Sequence, residues 1–251
     1  MADARLVLTY HSISDADGPT SIAPAEFAMQ MQALSDSGYR SWRLGEFIDW
    51  HDGKQDDGKQ VLITFDDAFA DFASVAAPIL DRHGFSALVF VPTARLGGAE
   101  EWKGGNRPPR PLMDWNTIRA LAKDGIEFGG HSCTHADLTK LDPAACEDEV
   151  AGCAEDLAAQ IGQPVESFAA PYGRVTPCVV ATIKRHYRAA FGTRLARARR
   201  DHDRFDLPRI EMHYFRDRRH WQGLLDGRLG YLRVRQGLRA VRESAEGRFD
   251  G

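Results

Sequence analysis

The chain has 251 residues, enough for one large domain that buries its own core without cross-links. Its 43% hydrophobic and 27% charged residues are ordinary for a globular protein, and the formal net charge of −4 gives no reason to expect nucleic acid as a partner. Four cysteines without CxxC spacing indicate neither a zinc knuckle nor a disulfide framework.

The amino-terminal stretch MADARLVLTYHSI enters a predicted strand, Arg5–Tyr10, almost at once. It lacks the apolar core and the cleavage site of a secretory signal. No run in the chain approaches the roughly 20 apolar residues of a membrane span. We therefore expect a cytoplasmic protein.

Predicted strands and helices alternate along the rest of the chain. An amphipathic helix at Pro24–Gly38 and a short helix at Arg43–Trp50 precede a polar loop, DGKQDDGKQ. Further strands are predicted at Val61–Phe65, Ser86–Val91, Ile126–Phe128, Glu166–Ala170, Arg188–Phe191 and in LPRIEMH at 207–213. Further helices are predicted at Phe69–His83, Asp114–Leu121, Pro143–Gln160 and Thr176–His186. This alternation predicts parallel βαβ units in a single domain spanning residues 1–251.

Two adjacent carboxylates, Asp66 and Asp67, follow the predicted buried strand Val61–Phe65. Neighbouring carboxylates repel each other and are costly to desolvate, so a cation or a mobile proton is needed to compensate them. For an isolated pair, the alternative is two solvated loop aspartates that cap the next helix. Residues later in the chain favour the compensated pair.

His131 and His135 follow another predicted strand and are four residues apart. In a helical turn this spacing places both imidazoles on one side, as in sites where two histidines hold one metal ion, although the spacing alone is common. With one of the two aspartates they would form three protein ligands and leave a position for water. That is the pattern of a catalytic metal site, and the other aspartate is then free to act as a base.

Three ordered motifs, ITFDD, GGHSCTH and FAAPYG, resemble those of the polysaccharide deacetylase family, carbohydrate esterases of the chitooligosaccharide and peptidoglycan deacetylase type. Framework segments such as VLTYHSIS, LVFVPTARLGG and FDLPRI extend the similarity from about Leu6 to Met212. The resemblance implies an α/β fold, a distorted (β/α) barrel with about seven parallel strands. The site is then expected at the carboxyl ends of those strands.

The resemblance also implies roles for individual residues. Asp66 corresponds to the general base, and the turn of Pro171 and Tyr172 presents the Tyr172 backbone N–H to the developing oxyanion. A divalent metal ion, with zinc the best match to one carboxylate and two imidazoles, is expected at Asp67, His131 and His135.

The chain departs from the family pattern at the position where many relatives carry an arginine that pairs with the base. Here that position is Ala169, and Arg209 could supply the missing cation from a neighbouring strand. No clear DxxxW follows the PYG turn. We predict His213 as the general acid, because its unperturbed pKa suits proton donation near neutrality; the alternative is a histidine that caps the last strand. His11 either lines the site or is structural.

Aromatic and basic segments suggest contacts with the substrate. Trp102, in a long Gly- and Pro-rich loop at Ala94–Pro111, and Tyr172 are candidates for stacking on sugar rings, whereas Trp115 is expected to belong to the core. The segment from 216 to 248, predicted to be helical, holds nine arginines against four carboxylates. It could contact an anionic membrane or a lipid-linked glycan, but a helix packed on the barrel with a solvated basic face is the preferred interpretation.

The combined interpretation is a metal-dependent hydrolase that removes an N-acetyl group from an amino sugar, an oligosaccharide or a glycan precursor. One alternative is hydrolysis of another amide or ester on the same fold, such as a cyclic imide, a formamide or an O-acetyl group. A second alternative is a glycan-binding protein whose catalysis is impaired by Ala169.

Overall fold

The computed structural model describes residues 4–54, 58–102, 106 and 108–246, with side chains described as far as residue 242. The predicted surface loop at 52–60, the long loop at 94–111 and the basic segment at 216–248 therefore each lie partly outside the described residues. Within the described part, the chain alternates strands and helices as the sequence predicts.

Nine strands are present among the described residues. They are β1 (Ala4–Tyr10), β2 (Tyr39–Ser41), β3 (Lys59–Phe65), β4 (Leu88–Val91), β5 (Glu127–Gly130), β6 (Ser167–Ala169), β7 (Ala189–Leu195), β8 (Ala198–Arg199) and β9 (Leu207–Glu211). Seven of them pair in parallel in the order β1-β3-β4-β5-β6-β7-β9, and β9 returns to β1. The predicted barrel of seven parallel strands is confirmed. The short strands β2 and β8 extend it beside β3 and β1.

Eight α-helices surround the barrel in the described part of the chain. They are α1 (Pro24–Asp36), α2 (Leu44–His51), α3 (Ala77–Arg82), α4 (Trp115–Lys123), α5 (Pro143–Ile161), α6 (Pro177–His186), α7 (Arg218–Leu225) and α8 (Gly230–Glu246). The predicted start of one helix at Phe69 is wrong, because the Phe69 backbone instead pairs with Leu112. A π-helical turn at Phe72–Ala76 then leads into α3.

Alternate residues along each strand face two separate cores, as the period of two requires. The inner core holds barrel residues such as Leu62 and Phe90, together with the aromatic side chains of the α2 region. Phe47 of α2 lies 5.8 Å from Phe191 between ring centroids. Arg5, at the start of β1, lies over the Trp50 ring, so α2 covers the amino-terminal end of the barrel. The opposite end is left open for polar residues.

The carboxyl end of β5 passes too close to its neighbours for any side chain larger than glycine. A Cβ atom on Gly129 would lie 2.7 Å from the Phe90 ring and from Ser167 Oγ. A Cβ atom on Gly130 would lie 2.4 Å from the Tyr187 hydroxyl. The Gly-Gly pair therefore lets β5 deliver the next residues of the chain to the open end of the barrel.

The carboxyl-terminal helices α7 and α8 pack against the barrel on one side only. Leu232 is 4% exposed, and Gln236 Nε2 donates to the Leu195 carbonyl at 2.7 Å. On the outward side of α8, Val234, Leu238 and Val241 are 58%, 56% and 70% exposed. The preferred interpretation of the carboxyl-terminal segment, a helix packed on the barrel, is therefore present in α8, but some of its apolar residues face outward. No helix among the described residues has the length and apolar character needed to cross a membrane.

Candidate active site

A cavity of about 280 Å³ lies at the carboxyl ends of the barrel strands and is called the central cavity. Five sequence-predicted residues line it through side chains from β1, β3, β5 and the loops that follow: His11, Asp66, Asp67, His131 and His135. Two predicted substrate-binding aromatic residues, Trp102 and Tyr172, also line it. The fold therefore brings together predicted residues that are as much as 161 positions apart in the chain, from His11 to Tyr172.

Asp67, His131 and His135 form a buried cluster whose ligand-type atoms all lie within 4.8 Å of one another. Asp67 Oδ1 is 3.3 Å from His131 Nε2 and 3.1 Å from His135 Nε2. This carboxylate oxygen is buried, and no described group gives it a regular hydrogen bond. Such an oxygen is costly to bury unless something compensates its charge. One carboxylate and two imidazoles match the donor set of a divalent transition metal ion.

The two imidazoles are oriented by groups on the following strand and turn. His131 Nδ1 donates to the Ala169 carbonyl at 2.6 Å, which leaves Nε2 directed toward Asp67. The Tyr172 hydroxyl lies 3.3 Å from His135 Nδ1. Outer contacts of this kind fix the tautomer and the ring orientation of metal-binding histidines. The orienting group at His131 is a backbone carbonyl, which the sequence could not reveal.

Asp66 is held from behind by Arg209 of β9. Arg209 Nη1 and Nη2 donate to Asp66 Oδ1 and Oδ2 at 2.7 and 2.8 Å, a bidentate pair. Both residues are buried, at 5% and 3% exposure. The predicted substitute for the missing arginine at Ala169 is therefore in contact with Asp66. Burial also excludes the alternative in which the two aspartates are solvated loop residues.

The charged groups of the central cavity shift one another's pKa values. Burial raises the pKa of Asp67, but the close His131 and His135 imidazoles outweigh it and hold the pKa well below its usual range. At Asp66, burial is outweighed by Arg209 and the neighbouring histidines, so this pKa is lowered as well. Burial lowers the pKa of His135, whereas at His131 the two aspartates overcome burial and raise it. Both carboxyl groups are therefore ionised at neutral pH.

All five non-glycine residues with a left-handed backbone in the described part of the chain lie around this cavity. Their φ values are 73° for Asp67, 55° for Ala68, 62° for Ser132, 62° for His135 and 60° for Tyr172. Such conformations cost of order 1–3 kcal/mol each and persist where the surrounding structure imposes them. Their position shows that the backbone is strained where the cavity residues are presented.

The Trp102 ring covers His135, one of the three candidate metal ligands, and a buried ion pair holds the loop that carries Trp102. The Trp102 ring stacks on His135 with ring centroids 4.1 Å apart, so this face is not available to a sugar. Glu100 and Arg110, which flank it in the loop, form a buried pair with Nε to Oε1 at 2.6 Å. Both line the central cavity. Sequence reasoning missed this pair, because two charged residues in a polar loop give no sign of burial.

Two predicted site residues, His213 and Pro171, lie elsewhere than expected. The strand predicted to reach His213 ends at Glu211, and His213 lies in the 3₁₀ turn Met212–Phe215, outside the lining of the central cavity. Burial and the charges of Arg216 and Arg235 lower the pKa of His213. Arg235 of α8 lies over the ring of the next residue, Tyr214, so this turn packs beside α8. Pro171 is buried in its turn and does not line the cavity. Trp115 packs against the core, as expected.

Comparison with known proteins gives the same family as the motifs. The sequence model of the polysaccharide deacetylase family matches residues 53–190, more than half of the chain. The chain therefore belongs to the polysaccharide deacetylase family. The match includes both aspartates, both histidines and the PYG turn, whereas His11 and Arg209 lie outside it.

Individual relatives extend this similarity. The chain is 26% identical over 208 residues to YxkH of Bacillus subtilis (strain 168), covering 82% of this chain and 70% of that protein. It is 28% identical over 126 residues to a chitooligosaccharide deacetylase of Bradyrhizobium sp. (strain ANU 289), which is 49% of this chain and 51% of that protein. The Streptococcus pyogenes deacetylase PplD has the same fold, with a TM-score of 0.73, 24% identity and coverage of 82% and 91%.

Proposed function

We propose that the protein is a metal-dependent hydrolase that removes the N-acetyl group from an amino sugar within a glycan. One observation carries the proposal: a buried carboxylate oxygen of Asp67, without a regular hydrogen bond, faces two imidazole nitrogens, and a second buried carboxylate, Asp66, stands beside it. Family membership supplies the class of reaction. The similarity to a chitooligosaccharide deacetylase supports an N-acetylated sugar as the substrate.

The residues present suit a divalent metal ion, and zinc is the ion we propose. Asp67, His131 and His135 would hold it, because their ligand atoms converge and the His131 ring is already fixed with Nε2 inward. A divalent ion in such a site acidifies water and polarises an acyl carbonyl. Three protein ligands leave room for substrate or water, which distinguishes a catalytic from a structural zinc site.

Asp66 is placed to act as the general base. It lines the central cavity beside the cluster of Asp67, His131 and His135. Arg209 keeps it ionised without lining the cavity. An ionised carboxylate can take a proton from water as the water attacks the acetyl carbon. By its likeness to the family turn, the Tyr172 backbone N–H donates to the oxyanion that develops there.

The leaving nitrogen needs a proton, and His11 replaces His213 as the proposed donor. Among the histidines of the described residues, His11 alone lines the central cavity without belonging to the Asp67 cluster. Its Nε2 lies 3.9 Å from Asp66 Oδ2. A histidine in this position can give a proton to the amine while Asp66 holds the proton taken from water.

The alternatives make different predictions for one set of measurements. Metal content by elemental analysis and substrate turnover should be measured together for the wild type, Asp67→Asn and His131→Ala. Turnover is followed as acetate release from N-acetylated sugars and O-acetyl esters, formate release from a formamide, and ring opening of a cyclic imide. We expect about one divalent ion per chain in the wild type, loss of it in both variants, and acetate from N-acetyl sugars. Equal metal in all three proteins would refute the ligand assignment. Turnover of only the other substrates would support a different hydrolase, and bound metal without any turnover would support a glycan-binding protein.

A further inference from the structure

The outward face of α8 carries a row of exposed apolar side chains, Val234, Leu238 and Val241, which is called the α8 stripe. These residues are four and three positions apart, so a helix of about 3.6 residues per turn places them on one face. All three are more than half exposed. Only two other large apolar residues of the described chain, Tyr172 and Val175, are exposed. Scattered exposed apolar residues are ordinary, whereas several on one face indicate a surface that meets a partner.

Arginine side chains lie on both flanks of the α8 stripe. Successive helical residues are rotated by about 100°, so Arg233 and Arg235, directly before and after Val234, lie on opposite sides of it. Arg242 is seven positions beyond Arg235 and lies on the same flank. Arg233 and Arg242 are exposed, and the Arg235 guanidinium lies over the Tyr214 ring, 4.1 Å from its centroid. The apolar row is therefore bordered by positive charge.

The charge of α8 is opposite in sign to that of the rest of the chain. From Gly230 to Arg242 the helix has four arginines, among them Arg239, and no carboxylate. Glu243 and Glu246 follow only at its carboxyl-terminal end. The whole chain has a formal net charge of −4, so the remainder is net negative. This concentration of positive charge selects an anionic partner.

The side of α8 opposite the stripe is occupied by the barrel. Leu232 is buried, and Gln236 Nε2 donates to the carbonyl of Leu195, the last residue of β7. The Tyr231 hydroxyl donates to the Tyr214 carbonyl at 2.9 Å. A partner that surrounds a helix cannot reach these residues. A broad, open surface, in contrast, can meet the apolar row and both arginine flanks at once.

We propose that α8 docks on an anionic phospholipid surface, with the α8 stripe inserted at the boundary between headgroups and acyl chains and the arginines at the lipid phosphates. Helices that lie in the plane of a membrane surface have this distribution of apolar and basic residues. Arginine stems cover apolar surface while their charged ends reach the headgroups. A second copy of this chain is less suited, because a symmetric contact through α8 would bring two sets of arginines together.

The docking face adjoins the open end of the barrel. Thr193, two residues before the end of β7, lines the central cavity, and Gln236 joins α8 to that strand end. Docking would therefore hold the central cavity near the lipid surface. The residues of the α8 stripe do not line the central cavity. The proposal thus concerns where the protein acts and does not depend on the proposed reaction.

Co-sedimentation of the full chain with lipid vesicles tests the docking. The wild type should bind vesicles of phosphatidylcholine mixed with phosphatidylglycerol, bind pure phosphatidylcholine vesicles much more weakly, and bind less at high salt because the charges are screened. Arg233→Gln should weaken binding about 5-fold, the contribution of one basic residue near an anionic surface. Arg188→Gln is the matched control, since it removes an exposed arginine outside α8, and it should leave binding unchanged.

The apolar contribution is tested by a pair of glutamate variants. Leu238→Glu places a charge in the α8 stripe, and Ala181→Glu adds the same charge at an exposed position of α6. Leu238→Glu should weaken vesicle binding by at least about 10-fold, because several buried methylene groups are lost. Ala181→Glu should bind almost as well as the wild type. Both positions are exposed, so thermal unfolding should show that both variants are folded.

Several results would overturn the proposal. These are no binding to the mixed vesicles, equal binding to both kinds of vesicle, and equal binding by the two glutamate variants. A dimer in sedimentation that Leu238→Glu dissociates would assign the face to a second copy of the chain. Binding of polyglutamate but of neither vesicle would assign it to an acidic protein. Acetate release from a soluble N-acetyl sugar should be the same for Leu238→Glu and the wild type, and its absence from both would count against the proposed function alone.

Discussion

Replacement of Arg209 by methionine isolates the contribution of the buried cation behind Asp66. Methionine keeps much of the length of arginine but cannot make the two hydrogen bonds, 2.7 and 2.8 Å long, that Arg209 donates to Asp66. The carboxylate would then be buried, at 5% exposure, with its nearest permanent cation removed. Breaking such a buried pair from one side costs about 3–5 kcal/mol of unfolding free energy.

The same substitution should change the pH dependence of activity in a defined direction. In the wild type, Arg209 and the histidines lower the pKa of Asp66 despite its burial. The proposed base should therefore be available down to acidic pH, and activity should be lost as the pH falls through this lowered pKa. Without Arg209, burial dominates and the pKa rises. An adjacent opposite charge is worth about 1–3 pH units, so the acidic limb of the kcat/KM profile should move up by about that amount.

Thermal unfolding and pH–rate profiles of Arg209→Met and Arg209→Lys test this reasoning together. Lysine keeps the charge but not the bidentate geometry, so its effects should be intermediate. Arg188→Met is the control, since Arg188 forms an exposed pair with Glu166 and should cost about 0–1 kcal/mol. The loss of stability in Arg209→Met should shrink as the pH falls, because protonation of Asp66 removes the buried charge. An unchanged acidic limb, with stability no lower than that of Arg188→Met, would refute a role for Arg209 in holding Asp66 ionised.

Four further variants test other parts of the site. Asp66→Asn should lower turnover on the order of 10²–10⁴-fold while the metal stays bound, because the assigned base is not a ligand; metal loss in this variant would mean that the two aspartates have exchanged roles. His11→Gln should lower the hydrolysis of an N-acetyl sugar much more than that of an activated ester, whose leaving group needs no proton. His213→Gln should alter neither rate. The opposite pattern would restore His213 as the general acid. Gly130→Ala should destabilise the fold, since its Cβ would lie 2.4 Å from the Tyr187 hydroxyl, which donates to the Val150 carbonyl at 2.9 Å. Unchanged thermal stability would show that β5 can shift to make room.

The sequence by itself determined the alternating strands and helices, and its resemblance to the family implied the barrel and the aspartates and histidines of the central cavity. Alternating apolar runs and amphipathic stripes specify parallel strands and covering helices, because each pattern reports which face of an element is buried. Parallel strands in such barrels expose their carboxyl ends at one edge, so residues that directly follow strands meet there. That local rule was enough to bring together Asp66, Asp67, His131 and His135.

The tertiary structure alone decided which groups orient and compensate these residues. The Ala169 carbonyl that fixes His131, and the Glu100–Arg110 pair that holds the Trp102 loop, come from segments whose contacts depend on packing. The proposal of His11 instead of His213 as the proton donor has the same origin. The strand β9 ends two residues earlier than the pattern predicts, and the turn that follows carries His213 toward α8. Sequence periodicity indicates which residues of one helix or strand are buried. A site depends on the relative positions of the ends of several strands, and only the folded barrel determines those positions.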